Sequence, residues 1–265
     1  MRQEAPVSSQ VSNQSQSFQQ LNIKLYNKLE DNFHLSNKKA MFLNIRLYYE
    51  AMGKDCFNAV PLTFHVKEGL EDPDFHRFKQ YYFKEEEEIK KQKALKQEDE
   101  GQQVPQSVRR NIWIVKPGEN TNRGQGITVL KDFEEIKALI QESTANKKRT
   151  CIVQKYIHNP LLINKRKFDI RLYAFLSSVN GNLKAYFYQD GYLRTSCREF
   201  TIHNLSNRMI HLTNDAVQKH AEDYGKYEAG NKLSYTDFQN YLDKNYADLN
   251  ICFERDLLPQ MKVSI

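Results

Sequence analysis

Polar and apolar residues alternate through Lys167-Phe168-Asp169-Ile170-Arg171, and the run continues as Leu172-Tyr173-Ala174-Phe175-Leu176. Successive side chains of a strand point to opposite faces. The pattern therefore predicts a long strand from Lys167 to Val179, with a cation, an anion and a cation on one side of its first half. Three ionised groups on a core strand are costly unless they face one another or a charged ligand. That face reads as the floor of a polar site suited to a polyanion such as nucleotide phosphates. Asn180-Gly181 follows and signals a tight hairpin. Leu183–Gln189 returns, Asp190-Gly191 turns again, and Tyr192–Cys197 makes a further strand. A meander of at least three antiparallel strands is expected.

Elsewhere the periods change. Asn111–Val115, Ile127–Leu130 and Cys151–Tyr156 read as β runs. A helix from Asp132 to about Ser143 lies between the last two, with Asp132 as N-cap and Glu135 three residues on. Lys38–Met52 reads as a helix carrying Met41, Ile45, Tyr48 and Met52 at spacings of three and four. Residues 61–66 suggest a short strand and Asp74–Phe83 another helix. Lys84–Gln103 is a Glu/Lys run, either exposed helix or loop, read here as an exposed, partly mobile insert. Near the end, Thr213-Asn214 is placed to cap a short helix through Lys219. Ser234 with Asp237 opens a helix over Tyr235–Asp243, where Phe238 and Tyr241 serve the core. Strands grouped beside βα elements give an α+β class. Residues 1–20 are Ser/Gln-rich and expected to be disordered. Residues 21–110 form an N-terminal region carrying the insert at 84–103, and 111–265 hold the main pattern.

Composition narrows the choices. At 265 residues and 40% hydrophobic, the chain suffices for one large domain or two small ones. No run approaches the length of a membrane-spanning helix. The N-terminus lacks an apolar signal segment, so a cytoplasmic protein is expected. Four cysteines lie far apart with no Cys-x-x-Cys pair, which argues for reduced thiols and against a Cys/His metal site. The net charge of +6 is uneven: residues 146–171 carry eight Lys/Arg, at 147, 148, 149, 155, 165, 166, 167 and 171, against the single acid Asp169. Such concentration favours an anionic ligand or partner. No nucleic-acid-binding signature accompanies it.

Candidate chemistry gathers around these strands. Lys116 ends the apolar run Ile112–Val115, and a lysine leaving a core strand suits a phosphate. Arg123-Gly124-Gln125-Gly126 follows; glycines let backbone N–H groups wrap phosphate oxygens. It is not a P-loop, since no Gly-Lys-Ser/Thr follows and the run feeds a strand. An ordinary hairpin turn is the competing reading. Gln154-Lys155-Tyr156-Ile157 is either an exposed strand end or a hinge that meets an adenine edge. Arg194 alone is a surface cation; beside Arg171 it would neutralise charge developing in phosphoryl transfer. Thr213 and Asn214 are caps or ligand contacts. His211, beside a helix start, reads as structural. No Ser-His-Asp or Cys-His arrangement is supported by spacing.

Several motifs, taken in order, resemble the tubulin–tyrosine ligase-like family, whose fold is ATP-grasp. They are Trp113–Ile127, Val153–Ile163, Arg166–Arg171, Gly191–Ser196, His211–Asn214 with Gln218–His220, and Tyr224–Asn231. The resemblance runs from about Asn111 to Tyr241, so 111–265 would be the central and partial C-terminal ATP-grasp region. It implies an ATP- and magnesium-dependent ligase that joins an amino acid to carboxylates of acidic tubulin tails through an acylphosphate. Glutamate is the first expectation, with glycine and tyrosine open. It also implies roles. Lys116 contacts phosphates under a flap of Arg123, Gly124 and Gly126. Gln154, Lys155 and Ile157 frame adenine, while Lys167 and Asp169 reach ribose and phosphates. Arg171 and Arg194 meet the γ-phosphate and acceptor carboxylate, as the catalytic pair. Thr213 and Asn214 bind nucleotide and the incoming amino acid.

Partners implied are tubulin or microtubules and a free amino acid, without nucleic acid or membrane, in the cytoplasm at the cytoskeleton, extending to cilium or basal body. The family's magnesium ligands lie in an acidic strand followed by Glu-x-Asn, expected beyond residue 265. Asp248, Glu254 and Asp256 lack that context. The expectation is a fold cut short at its C-terminus that transfers little by itself. The rival expectation is an inactive relative that holds acidic tails as a scaffold.

Overall fold

A computed structural model describes residues 29, 31–97, 109–118, 123–145 and 149–263. The first part runs α1 (Phe33–Ser36), α2 (Lys38–Ala51), β1 (Thr63–Val66), α3 (Pro73–Gln97), β2 (Trp113–Pro117), β3 (Thr128–Leu130), α4 (Phe133–Thr144) and β4 (Cys151–Lys155). The second runs β5 (Leu162–Ile163), β6 (Arg166–Arg171), β7 (Ala174–Val179), β8 (Asn182–Phe187), β9 (Tyr192–Glu199), α5 (Arg208–His211), α6 (Asp215–Gln218), β10 (Lys232–Leu233), α7 (Tyr235–Asn245) and α8 (Leu258–Val263). Helices mix with antiparallel sheets, an α+β architecture.

The first sheet has the order β1-β4-β2-β3, all antiparallel. One face is a core. Phe64, Trp113, Val115 and Val153 pack there against Phe75 and Phe78 of α3 and Ile136 and Ile140 of α4. Phe78 meets Trp113 edge-on at 4.9 Å, a favoured aromatic geometry. Strand parity then assigns Thr63, Lys116 and Gln154 to the other face, since Lys116 stands opposite Ile152, and Gln154 opposite both Thr63 and Ile114.

The second sheet, β10-β9-β6-β5, packs Leu193, Phe168 and Ile170 against Phe238 and Leu242 of α7 and Leu258 of α8. Its opposite face pairs Asp169 directly with Arg194. The alternation in Lys167–Arg171 is thus realised, apolar side to the core and charged side to the cleft. The register of β6 on β9 shifts between Arg166 and Phe168, and the Ser196 hydroxyl there accepts the Lys167 N–H at 3.1 Å.

Several elements differ from expectation. The run 167–179 is two strands, not one: β6 and β7 separate at Leu172-Tyr173 and join different sheets. Asn180-Gly181 does close the β7–β8 hairpin, with φ of 50° and 78°. The meander ends there, because β9 pairs with β6 and β10 rather than with β8. Burying Leu193 against Ile170 decides that pairing.

The charge run from Lys84 continues α3 as far as Gln97 rather than forming an insert. Ile89 is buried, and Glu85 and Glu86 reach Lys155 and Asn111. On α2 the spaced Met41, Tyr48 and Met52 are exposed, while Ala40 and Phe42 are buried. The expected tail 1–20 and residues 98–103 lie outside the described residues. Two of the caps are as read: Asp132 accepts the Glu135 N–H, and Ser234 and Asp237 form a reciprocal capping box.

Candidate functional site

The polar faces of the two sheets approach one another: Lys167 of the second bonds Tyr156 just past β4 of the first and feels the charge of Lys116. Lys116 donates to Gln154 Oε1 at 2.7 Å, and Gln154 Nε2 donates to the Thr63 hydroxyl at 2.8 Å. Gln154 is therefore a prop for Lys116 in this state. From β6, Lys167 donates to the Tyr156 hydroxyl and to the His211 carbonyl, both at 3.1 Å. Burial lowers both lysines to about 8. Lys38, at the start of α2, lowers Lys116 further; Lys116 lowers Lys167, against which Asp169 acts only partly. Partly dehydrated ammonium groups that repel one another are a site short of negative charge.

Asp169 lies beyond Lys167 on the same face. Arg194 grips it in a fork, Nε to Oδ1 at 3.0 Å and Nη2 to Oδ2 at 2.9 Å. Arg171 Nε stands 3.3 Å from Asp169 Oδ2. The carboxylate fixes the Arg194 guanidinium at two points and holds that of Arg171 by charge alone.

The glycine segment closes one side. Gly124 has φ of +81°, and a Cβ there would sit 3.0 Å from Val217 Cγ2 and 3.2 Å from Asn214 Oδ1. Arg208 donates to the Gly124 carbonyl, tying this segment to α5. A pocket of about 330 Å³ is lined by Arg123, Arg194, Asn214, Asp215, Ala216 and Lys219. Asn214 is the N-cap of α6 by position, but its side chain makes no capping bond. Thr213 beside it is half-buried.

The structure thus brings together Lys116, Gln154, Lys167, Asp169, Arg171 and Arg194, with Arg123, Gly124, Thr213 and Asn214 alongside. Gly126 also has positive φ, and a Cβ there would strike the Pro117 ring. Ile157 is exposed just past the β4 end. The Lys155 side chain does not point the same way as that of Gln154. It lies across the first sheet, 3.4 Å from Glu85 and 5.0 Å above the Trp113 ring. Neighbouring positions of one strand face opposite ways, so the Gln154 and Lys155 side chains lie on opposite faces of the first sheet. Lys38 and the Tyr156 hydroxyl had no role of their own in the sequence pattern, and His211 read as structural.

The donor set suits a polyphosphate. It does not suit a metal ion. Among the described residues no group of three or more His, Cys, Asp or Glu is placed to hold one. Asp169 is already held by arginines. Asp256 accepts from Arg255 and from the Cys252 N–H, which hold it down to about 2. No helix among the described residues is long and apolar enough to cross a membrane.

The family model for the tubulin-tyrosine ligase family matches residues 15–255. Tubulin glycylase 3B of Drosophila melanogaster is 40% identical over 137 residues, 50% of this chain and 18% of the relative. Human tubulin monoglycylase TTLL3 is 41% identical over 121 residues, 45% of this chain and 15% of the relative. Mouse probable tubulin polyglutamylase TTLL2 is 28% identical over 235 residues, 87% of this chain and 36% of the relative. The chain therefore spans well under half the length of these relatives.

Proposed function

The chain belongs to the tubulin-tyrosine ligase family, and from that premise we propose that it is the nucleotide-binding core of an ATP-dependent ligase that adds an amino acid to carboxylates of tubulin tails, with an ATP-grasp-like cleft. One observation carries the reading: Lys116 and Lys167, from different sheets, converge as dehydrated cations beside the Asp169–Arg194 fork. ATP, as substrate, supplies the phosphoryl group that activates the acceptor carboxylate. An amine then attacks the carbonyl carbon and phosphate leaves, which forms an amide.

Within that scheme Lys116 and Lys167 hold phosphate oxygens, and the segment Arg123–Gly126 covers them. Arg194 and Arg171, aimed by Asp169, face the oxygen that gains negative charge. Asn214, at the mouth of the Arg123–Arg194 pocket, meets the incoming amino acid. No step is assigned to magnesium, because the described residues offer no set of ligands for it.

Glutamate has no better support than glycine: the two glycylases above carry higher identities, over shorter matches, than the polyglutamylase. The test has two stages. ATP binding is titrated calorimetrically to this chain and to Lys116→Ala, which should lose at least tenfold in affinity. The complete product of the gene is then offered ATP, magnesium, tubulin and labelled glycine, glutamate or tyrosine. Incorporation of one names the amine. An unresponsive chain in the first stage removes the cleft, and no incorporation in the second removes the ligase.

A further inference from the structure

Behind Lys167 lies a buried polar chain that the proposed chemistry does not use. Tyr156 and His211 are 3% and 2% exposed. Tyr156 OH is 2.9 Å from His211 Nδ1, and His211 Nε2 is 2.8 Å from the Asn204 carbonyl oxygen. Polarity follows from valence. A carbonyl oxygen only accepts, so Nε2 carries the proton. Nδ1 of the neutral ring is then a lone pair, and the Tyr156 hydroxyl must donate to it. The opposite tautomer would set the bare Nε2 lone pair against the Asn204 carbonyl oxygen, two acceptors with no proton between them. With its hydrogen committed to His211, the Tyr156 oxygen turns its own lone pairs to Lys167, which donates at 3.1 Å.

We propose that His211, acting through Tyr156, is a positioning residue that aims the Lys167 ammonium at the anion bound in the cleft. The ammonium has three donors. Tyr156 takes one and the His211 carbonyl takes another, so the third is fixed in direction before any anion arrives. His211 thus holds Lys167 twice, by its ring through Tyr156 and by its own backbone.

The groups facing His211 are Lys167 on β6, Tyr156 past β4 and the Phe200 ring, whose centroid is 5.9 Å away. None is an acid. Protonating Nδ1 would set a second cation beside Lys167 and remove the acceptor that orients Tyr156. Burial holds the imidazole below its ordinary range, the Asn204 carbonyl opposing it and the charge of Lys167 adding to it, which keeps the chain in one polarity at neutral pH.

The inference rests on the cleft's binding a nucleotide, and its test separates the two. ATP is titrated to wild type, Tyr156→Phe and His211→Leu, each also in a Lys167→Met background. Loss of one oriented hydrogen bond predicts affinity weaker by about five- to tenfold for either variant in the wild-type background. In the Lys167→Met background the same changes should shift affinity by less than about twofold, since coupled partners are not additive. Equal losses in both backgrounds would make His211 and Tyr156 merely structural and overturn the proposal. No ATP binding by wild type removes the cleft reading itself and this inference with it. Tyr156→Phe removes only a hydroxyl and keeps the test valid if His211→Leu fails to fold. A readout without nucleotide is the ¹⁵N spectrum of the histidine ring: a protonated Nε2 and a bare Nδ1 are expected from pH 7 to 9, and a protonated Nδ1 overturns the relay.

Discussion

Binding a polyphosphate should draw protons into the protein. The perturbation is pH. Lys116 and Lys167 are each held at about 8 against an ordinary 10.5. A folded-state value below the unfolded one means that the charged form is disfavoured by the native cleft. That cost is fully present below pH 8 and is relieved as pH rises from 8 towards 10.5. At about 1.4 kcal/mol per unit, it comes to about 3 kcal/mol for each lysine. A bound triphosphate reverses the balance, because an adjacent anion restores the charged form. At pH 8 each lysine is about half protonated when free and nearly fully protonated when bound, so uptake is about one proton for the pair. Between pH 7 and 9 each lysine contributes about a tenfold fall in affinity, about a hundredfold together. The assay is calorimetric ATP titration at pH 7, 8 and 9 in buffers of different ionisation enthalpy. Zero proton uptake at pH 8, or an affinity flat from pH 7 to 9, would refute the argument that these lysines are dehydrated and await an anion.

Two further outcomes follow from particular contacts. Gly124→Ala places a methyl group at φ of +81°, 3.0 Å from Val217 Cγ2. It should cost about 1–3 kcal/mol and weaken ATP binding by moving the flap, and unchanged melting with unchanged affinity contradicts the close packing. Arg166, 1% exposed, donates to Glu228 Oε2 at 2.9 Å. Arg166→Met should lose about 3–5 kcal/mol in urea unfolding by stranding a largely buried carboxylate, and Arg166→Met with Glu228→Leu should recover much of it. Equal losses in the single and double variants would disprove the pairing account.

What was legible in the chain was local. The capping box of Ser234 and Asp237 and the cap at Asp132 depend on residues three apart, and both formed. The opposed faces of Lys167–Arg171 followed from strand parity alone. The same parity places the Lys155 side chain on the face opposite that of Gln154. Long-range competition was not legible. The pairing of β9 with β6 over β8 is set by which apolar partner buries Leu193, and the extension of α3 by Ile89, Glu85 and Glu86 finding partners. His211 reads as an ordinary helix-start histidine until Tyr156, 55 residues away, is brought to its ring. Lys38 gives no local sign that it will raise the electrostatic strain on Lys116.

The β7–β8 hairpin has a practical consequence. Among the described elements it forms a two-stranded sheet of its own, and Phe175, Val179, Leu183, Tyr186 and Tyr188 are all exposed on or beside it. A lone ribbon with open borders is only marginally stable and invites a second ribbon to pair with it. Its amides should be the first strand amides to exchange with heavy water. Concentrated solutions of the isolated chain should thicken into oligomers through this arm, and a charged residue in place of Phe175 is the change that would keep them clear.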